Sequence, residues 1–216
     1  MTENQELRKL LLEKSEYDME RAKEAYDFII GNESEVIKHH KDGVYLRYKD
    51  GHEEWFNGKN KKENVAGVAV HLGERHTCIA MSDVKNDDGN MKFCLLKSIN
   101  NDKEAYNNTF IMNYFNAYSD LNGKKHTNSL MRRGCKIPLA EKQYIPSIGE
   151  WMLILMSLKK VQEALDYAHG EMLKDEWYWS STEYASFAAW NIFVGNGNIY
   201  GGANNSKEAR VRPCLK

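Results

Sequence analysis

The chain carries seven histidines, and an imidazole can ligate a metal or move a proton near neutral pH. His39 and His40 are adjacent, so an extended backbone would send them to opposite faces. His71 and His76 flank a turn at Gly73 without a second Cys or His at the spacing of a zinc site. His52 and His126 stand in polar stretches beside Gly51 and Lys125, and His169 closes a helical stretch, where a cation suits the dipole. These spacings predict no metal site. The hydroxyl cluster Ser180-Ser181-Thr182 lies outside any GxSxG, GxxxxGK[ST] or GxGxxG pattern, and it is read as bonding neighbouring backbone. Asp87-Asp88-Gly89 lacks the long loop and closing glutamate of a calcium site and reads as a turn. Cys78, Cys94, Cys135 and Cys214 show no CxxC and read as buried thiols of a reduced compartment. A Cys78 to Cys214 bridge stays open, since both lie in or beside expected strands. No catalytic residue and no cofactor is expected.

Composition narrows the classes. With 216 residues, 42% hydrophobic and 11% aromatic, the chain can bury a sizeable core. Thirty basic against 31 acidic side chains leave a net charge of -1, which gives no footprint for nucleic acid. No apolar run approaches the roughly 18 residues that span a bilayer, so membrane insertion is not expected. The stretch MTENQELRKLLLEKSEYD is too polar and acidic for a secretory signal, which predicts a cytoplasmic or virion-associated protein.

The elements follow from periodicity. Leu7, Leu10, Leu11, Met19, Ala22, Tyr26 and Ile29 recur at helical steps, predicting a helix over 3–31 that stops at Gly31. Its apolar stripe either packs on the main domain or serves as an oligomerisation or docking helix. GVYLRYKDGHEEWFNG predicts a hairpin turning at Asp50-Gly51. The polar stretch 57–64 reads as a linker, which divides the chain into an extension over 1–60 and a domain over 65–216. From Val65 the pattern is α+β: strands in VAGVAVH, HTCIAMS and MKFCLL, a helix over 102–118, and a short helix near 127–132. Another helix opens at Ser147 with Glu150 closing a capping box, and an amphipathic stretch ends at Gly170. Short strands over 177–184, 189–194, 198–200 and 209–213 then form a small antiparallel sheet, with Asn196-Gly197 as a turn.

Within that sheet, alternation sends Trp190, Ile192 and Val194 to one face and Asn191 and Phe193 to the other. One face is core, so Phe193 is a candidate exposed aromatic. With Tyr184, Phe187 and Tyr200 it could supply the anchors of a binding surface, the intervening Ser, Asn and Gly giving adaptable polar contact. The alternative is that these aromatics cover the domain's own loops.

The segments IPSIGEW, YWSSTEY, AWNIFVGNGNI and VRP together resemble the C-type-lectin-like domain of bacterial major-paralogous-domain proteins and of diversity-generating-retroelement variable proteins. VAGVAV and CIAMSDV resemble its opening strands, so the resemblance covers roughly 65–216. It implies a C-type-lectin-like fold in which Trp179, Trp190, Ile192, Val194, Gly197, Ile199, Val211 and Arg212 are frame positions. It also implies that Ala185, Ser186, Phe187, Ala188, Phe193, Gly195, Asn196, Tyr200, Gly201, Gly202 and Ala203 fall where variable members differ. Adding Tyr184, Asn191 and Asn204 completes the expected ligand-binding face. Trp190-Asn191 is followed by Ile192, without the Pro-centred loop of calcium-dependent lectins, and the C-terminal region holds a lone Cys214 where formylglycine-generating enzymes need a pair. The expectation is therefore a non-catalytic, retroelement-diversified receptor-binding protein whose partner is a protein or a surface glycan. A structural or assembly module using the N-terminal helix to form a homo-oligomer and a fixed glycan-binding module are the alternatives.

Overall fold

Val44, Leu46 and Tyr48 alternate along the first expected strand, and burying them decides where the hairpin belongs. A computed structural model describes residues 41–96 and 110–216; the helix expected over 3–31 lies outside them. Strands β1 (Gly43–Tyr48) and β2 (Glu53–Trp55) turn through Gly51, whose φ of 95° favours glycine. β3 (Val65–Leu72) pairs antiparallel with β1 from Gly43↔His71 to Tyr48↔Val65. The hairpin is thus part of the main sheet, within a compact unit over Lys41–Lys216. This corrects the division at 60/65: the stretch 57–64 is a loop between neighbouring strands, because the apolar side of β1 can be covered only inside the domain.

β4 (Arg75–Ala80) follows β3 through Gly73, and β11 (Cys214–Leu215) and β6 (Gln143–Tyr144) complete a six-stranded sheet of order β2-β1-β3-β4-β11-β6. Glycine is required at 67, where a Cβ would lie 2.4 Å from the Ile79 carbonyl oxygen. The second sheet has the order β5-β10-β7-β8-β9, from β5 (Lys92–Phe93), β10 (Ala209–Arg210), β7 (Trp177–Ala185), β8 (Ala188–Phe193) and β9 (Asn198–Asn204). Its β10–β7 pair is parallel and the others antiparallel.

Four helices occur among the described residues: α1 (Tyr114–Ser119), α2 (Gly123–Arg132), α3 (Ile148–Met156) and α4 (Leu158–Tyr167). The described part of the helix expected over 102–118 is helical only from Tyr114. Asn113 caps it, its side chain accepting from the Asn116 N–H at 2.8 Å, while the Ile111 N–H donates to the Glu183 carbonyl. The capping box at Ser147 and Glu150 is present on α3. Beyond α4 the left-handed residue is His169 (φ 60°) rather than Gly170, which is needed instead for its approach to Met81.

α3 is apolar around most of its circumference, as a helix covered on several sides must be. It contacts β3 and β4 of one sheet and β7 and β8 of the other. Its Trp151 is fully buried, packs 5.3 Å from the Tyr178 ring and donates Nε1–H to the Trp179 carbonyl at 3.1 Å. Removing such a ring costs about 3–5 kcal/mol. The thiols do not pair: Cys214 faces Ile79 across the β11–β4 ladder, so it lies on the opposite side of the sheet from Cys78. Burial pushes both thiols up, which leaves them unreactive.

The two sheets meet where the chain passes from β10 to β11. Arg212 is fully buried there and donates Nε to Asp83 at 2.6 Å, Nη1 to the Ala80 carbonyl at 3.1 Å and Nη2 to the Glu171 carbonyl at 2.8 Å. Asp83 also accepts from the Tyr178 hydroxyl at 3.1 Å and from Arg210 at 3.0 Å. Asp83→Asn should cost about 3–5 kcal/mol in urea unfolding, since it leaves a buried guanidinium without its counter-charge. The double change Asp83→Leu with Arg212→Met should recover much of that loss.

Candidate functional site

The outward face of β7, β8 and β9 is built by cross-strand pairing. Trp177 faces Phe193, Phe193 faces Asn198, and Asn191 faces Tyr200, so these side chains share one side of the sheet. The Trp177 and Phe193 rings meet edge to face at 5.5 Å. Trp177 is 40% and Tyr200 54% exposed, large values for aromatics anchored in a sheet. The next residue inward on β7, Trp179, is on the same side but buried, its Nε1–H donating to the Phe93 carbonyl at 2.7 Å. The aromatic row therefore begins where the β5 segment stops covering the sheet.

Alternation sends Phe193 to the outward side, where the pairing puts it, but its ring is half-buried against Trp177 rather than exposed. Tyr200 joins it by regular pairing, two residues on from Asn198 as Asn191 is from Phe193, and an irregularity follows. Ala203 pairs with Ala189 and Tyr200 with Asn191, so β9 holds one more residue than β8 across this interval. Tyr200 and Ala203, three residues apart, thereby come to the same side. Tyr200 lies along its own strand, its hydroxyl 2.7 Å from where a Gly202 Cβ would stand.

The other expected contact residues divide. Phe187, Gly195, Asn196, Gly202 and Asn204 are exposed, and Ala185, Ser186 and Asn191 are half-buried. Ala188, Gly201 and Ala203 are buried, which takes their side chains out of the face. Tyr184 sits on the opposite side of the sheet from Phe193, edge-on to buried Trp190 at 5.6 Å. Tyr114 of α1 meets the same indole at 4.9 Å, and Phe115 and Tyr118 beside it are exposed. Trp177 and these α1 aromatics escaped the sequence reading. The Trp177 alternation with Trp179 was a usable signal, but which of the two is covered depends on β5.

Charge fixes the start of β7. Glu176, next to Trp177, accepts from Arg210 Nε at 2.9 Å and lies 2.6 Å from Lys92 Nζ. These two cations hold its carboxyl down to about 2. The buried hydroxyls are structural: Ser180 donates to the Trp190 carbonyl at 2.8 Å, Ser181 to the Ile145 carbonyl at 2.8 Å, and Thr182 to Asp120 at 2.7 Å. His126 bonds the same Asp120 at 2.9 Å, so the carboxylate stands between hydroxyl and imidazole, the wrong order for an activated nucleophile. Elsewhere, Glu53 lies 2.7 Å from His71 and 3.2 Å from His76. Burial would raise its carboxyl, but the two imidazoles outweigh burial and hold it well below the usual range. Histidine spacing could not reveal this group, because its third member comes from another strand.

The described residues define a mixed α+β domain of two largely antiparallel sheets with helices. No protein-family model matches the chain, and no curated protein matches its sequence. Among solved structures it is similar to a fimbrial protein from Bacteroides ovatus ATCC 8483, with a TM-score of 0.56 and 15% identity. The match covers 82% of this chain and 49% of that one, so the chain spans about half the length of that protein. No helix among the described residues is long and apolar enough to cross a membrane.

Because the folded Glu176 carboxyl is depressed, its ion pairs stabilise the fold above the unfolded value near 4.5 and are lost as pH falls toward about 2. The melting-temperature difference between wild type and Glu176→Gln should therefore be largest above pH 5 and shrink steadily toward pH 2.

Proposed function

We propose that this chain is a non-catalytic binding protein on a C-type-lectin-like domain, and that it engages a protein or glycan surface through the outward side of β7, β8 and β9. The observation that carries this reading is the aromatic row on a paired sheet, in which Trp177 and Tyr200 are exposed and Phe193 is half-buried between them. Rigid aromatic anchors supply most of the energy of an interface at little entropic cost, and Asn191 and Asn198 between them offer amide donors and acceptors. Exposed Phe187, Asn196, Gly202 and Asn204 extend the surface, and their retroelement diversification belongs to the same proposal. A near-copy of the codons for 177–213 beside a reverse transcriptase gene, differing mainly at adenines, would support it.

The test of the face is a triple change, Trp177→Ala, Phe193→Ala and Tyr200→Ala, in the full chain. Ligands captured from glycan arrays and displayed-protein libraries should bind the variant on the order of 100-fold more weakly, with folding retained. Unchanged binding of every captured ligand would rule the face out.

A second reading, an assembly subunit, is favoured by the similarity to a fimbrial protein over 82% of the chain. It predicts concentration-dependent self-association of the full chain by light scattering, which a simple ligand-binding monomer would not show.

A further inference from the structure

We infer that Glu53, His71 and His76 form a binding site for a divalent transition-metal ion of the zinc class, at the β2 side of the six-stranded sheet. His71 and His76 face each other across the β3–β4 ladder, an arrangement that sets two imidazoles side by side. Their ring centroids are 4.4 Å apart, and both Nε2 atoms point to one carboxylate. Glu53 reaches them from β2, which pairs with β1, so the three residues come from strands that are not all neighbours in the sheet. One nitrogen or oxygen from each of the three residues lies within 4.8 Å of the others. With zinc bonds of about 2.0 Å, two ligand atoms of a tetrahedral site stand about 3.3 Å apart. The observed 2.7 and 3.2 Å separations therefore need only small side-chain rotations to admit an ion.

The donor set selects the ion. Two imidazoles and one carboxylate suit zinc, cobalt, nickel or copper, whereas calcium and magnesium take mostly oxygen ligands. The fourth position would hold water, because the His76 side chain is 38% exposed and opens the group to solvent. Arg47 sits 3.5 Å from Glu53 Oε1 and is held at 2.8 Å by the Lys216 carbonyl, so it orients the carboxylate from behind. Tyr45 packs edge-on to His71 at 4.9 Å and limits its ring rotation. The bound ion would tie the short edge strand β2 to the β3–β4 hairpin.

The experiment uses the full chain, stripped with chelator and titrated with zinc and with cobalt at neutral pH. The expected results are one ion per chain, a melting temperature that rises with zinc, and a visible absorption band of tetrahedral cobalt. His76→Ala, a change at a half-exposed side chain that the fold tolerates, and the shape-preserving Glu53→Gln should each weaken binding by at least about 10-fold and reduce the cobalt band. His39→Ala combined with His40→Ala should leave both signals intact. Binding that survives His76→Ala unchanged, or no stoichiometric binding by the folded wild type, would overturn the assignment.

Discussion

The buried pair of Asp83 and Arg212 is the constraint on which the two sheets depend. Taking both charges out of water costs several kcal/mol each, and only complete hydrogen bonding offsets that cost. Here each guanidinium nitrogen has an acceptor, and the Asp83 carboxylate accepts from three side chains. Those partners span β4, the stretch before β7, β7 itself and β10. Backbone bonds run alongside, from Ala80 N–H to the Pro213 carbonyl at 2.8 Å and from Val84 N–H to the Val211 carbonyl at 2.9 Å. The pair therefore sets where the chain leaves one sheet and enters the other. Arg210, shared between Asp83 and Glu176, carries that constraint to the residue beside Trp177, so the candidate face is positioned from the core.

A second polar network holds the helices to the sheet. Asp120 accepts from Thr182 of β7 and His126 of α2, while its carbonyl accepts from the Ser147 hydroxyl at 2.6 Å. Burial alone would raise the Asp120 carboxyl, and the bonds from His126 and Thr182 lower it instead. Glu150, in the same layer, goes the other way: burial pushes its carboxyl up despite bonds from Ser147 and Tyr144. Opposite shifts in neighbouring carboxyls usually announce acid and base roles. In this layer the groups are spent on a helix cap and inter-element bonds, and the Ser180 to Thr182 hydroxyls donate to acceptors already in place.

What could be read from the chain alone was whatever rests on neighbours in sequence. The Asp50-Gly51 and Gly73 turns, the Ser147–Glu150 capping box and the alternation of Trp190, Ile192 and Val194 all depend on a few consecutive residues, and each has its counterpart in the fold. Of the helix expected over 102–118, the described residues are helical only from Tyr114, because Asn113 offers a cap that periodicity does not weigh. The hairpin reads as part of the extension because a polar loop looks like a linker until its flanking strands are seen to join one sheet. The approach of Glu53 to His71 and His76, and the covering of Trp179 but not Trp177, depend on strands far apart in sequence and have no local signature.

The candidate face sharpens what variation on this frame could achieve. At Gly201 a Cβ would meet the Tyr184 ring at 2.7 Å and the Trp190 indole at 3.0 Å, both bodies of packed rings that cannot give way. At Gly202 the nearest atom is the Tyr200 hydroxyl, the free end of a flexible side chain, so a larger residue there displaces only a surface tyrosine. Ala188 and Ala203 face each other's neighbours across the β8–β9 ladder and are closed off by packing in the same way as Gly201. A diversified surface would therefore fall on Ser186, Phe187, Phe193, Asn196, Tyr200, Gly202 and Asn204, while the bulge at Gly201 stays fixed. Tyr200 stands on the side of Phe193 by regular pairing, and the bulge beyond it brings Ala203 back to that same side, so the packed Gly201 separates an exposed aromatic from a buried alanine.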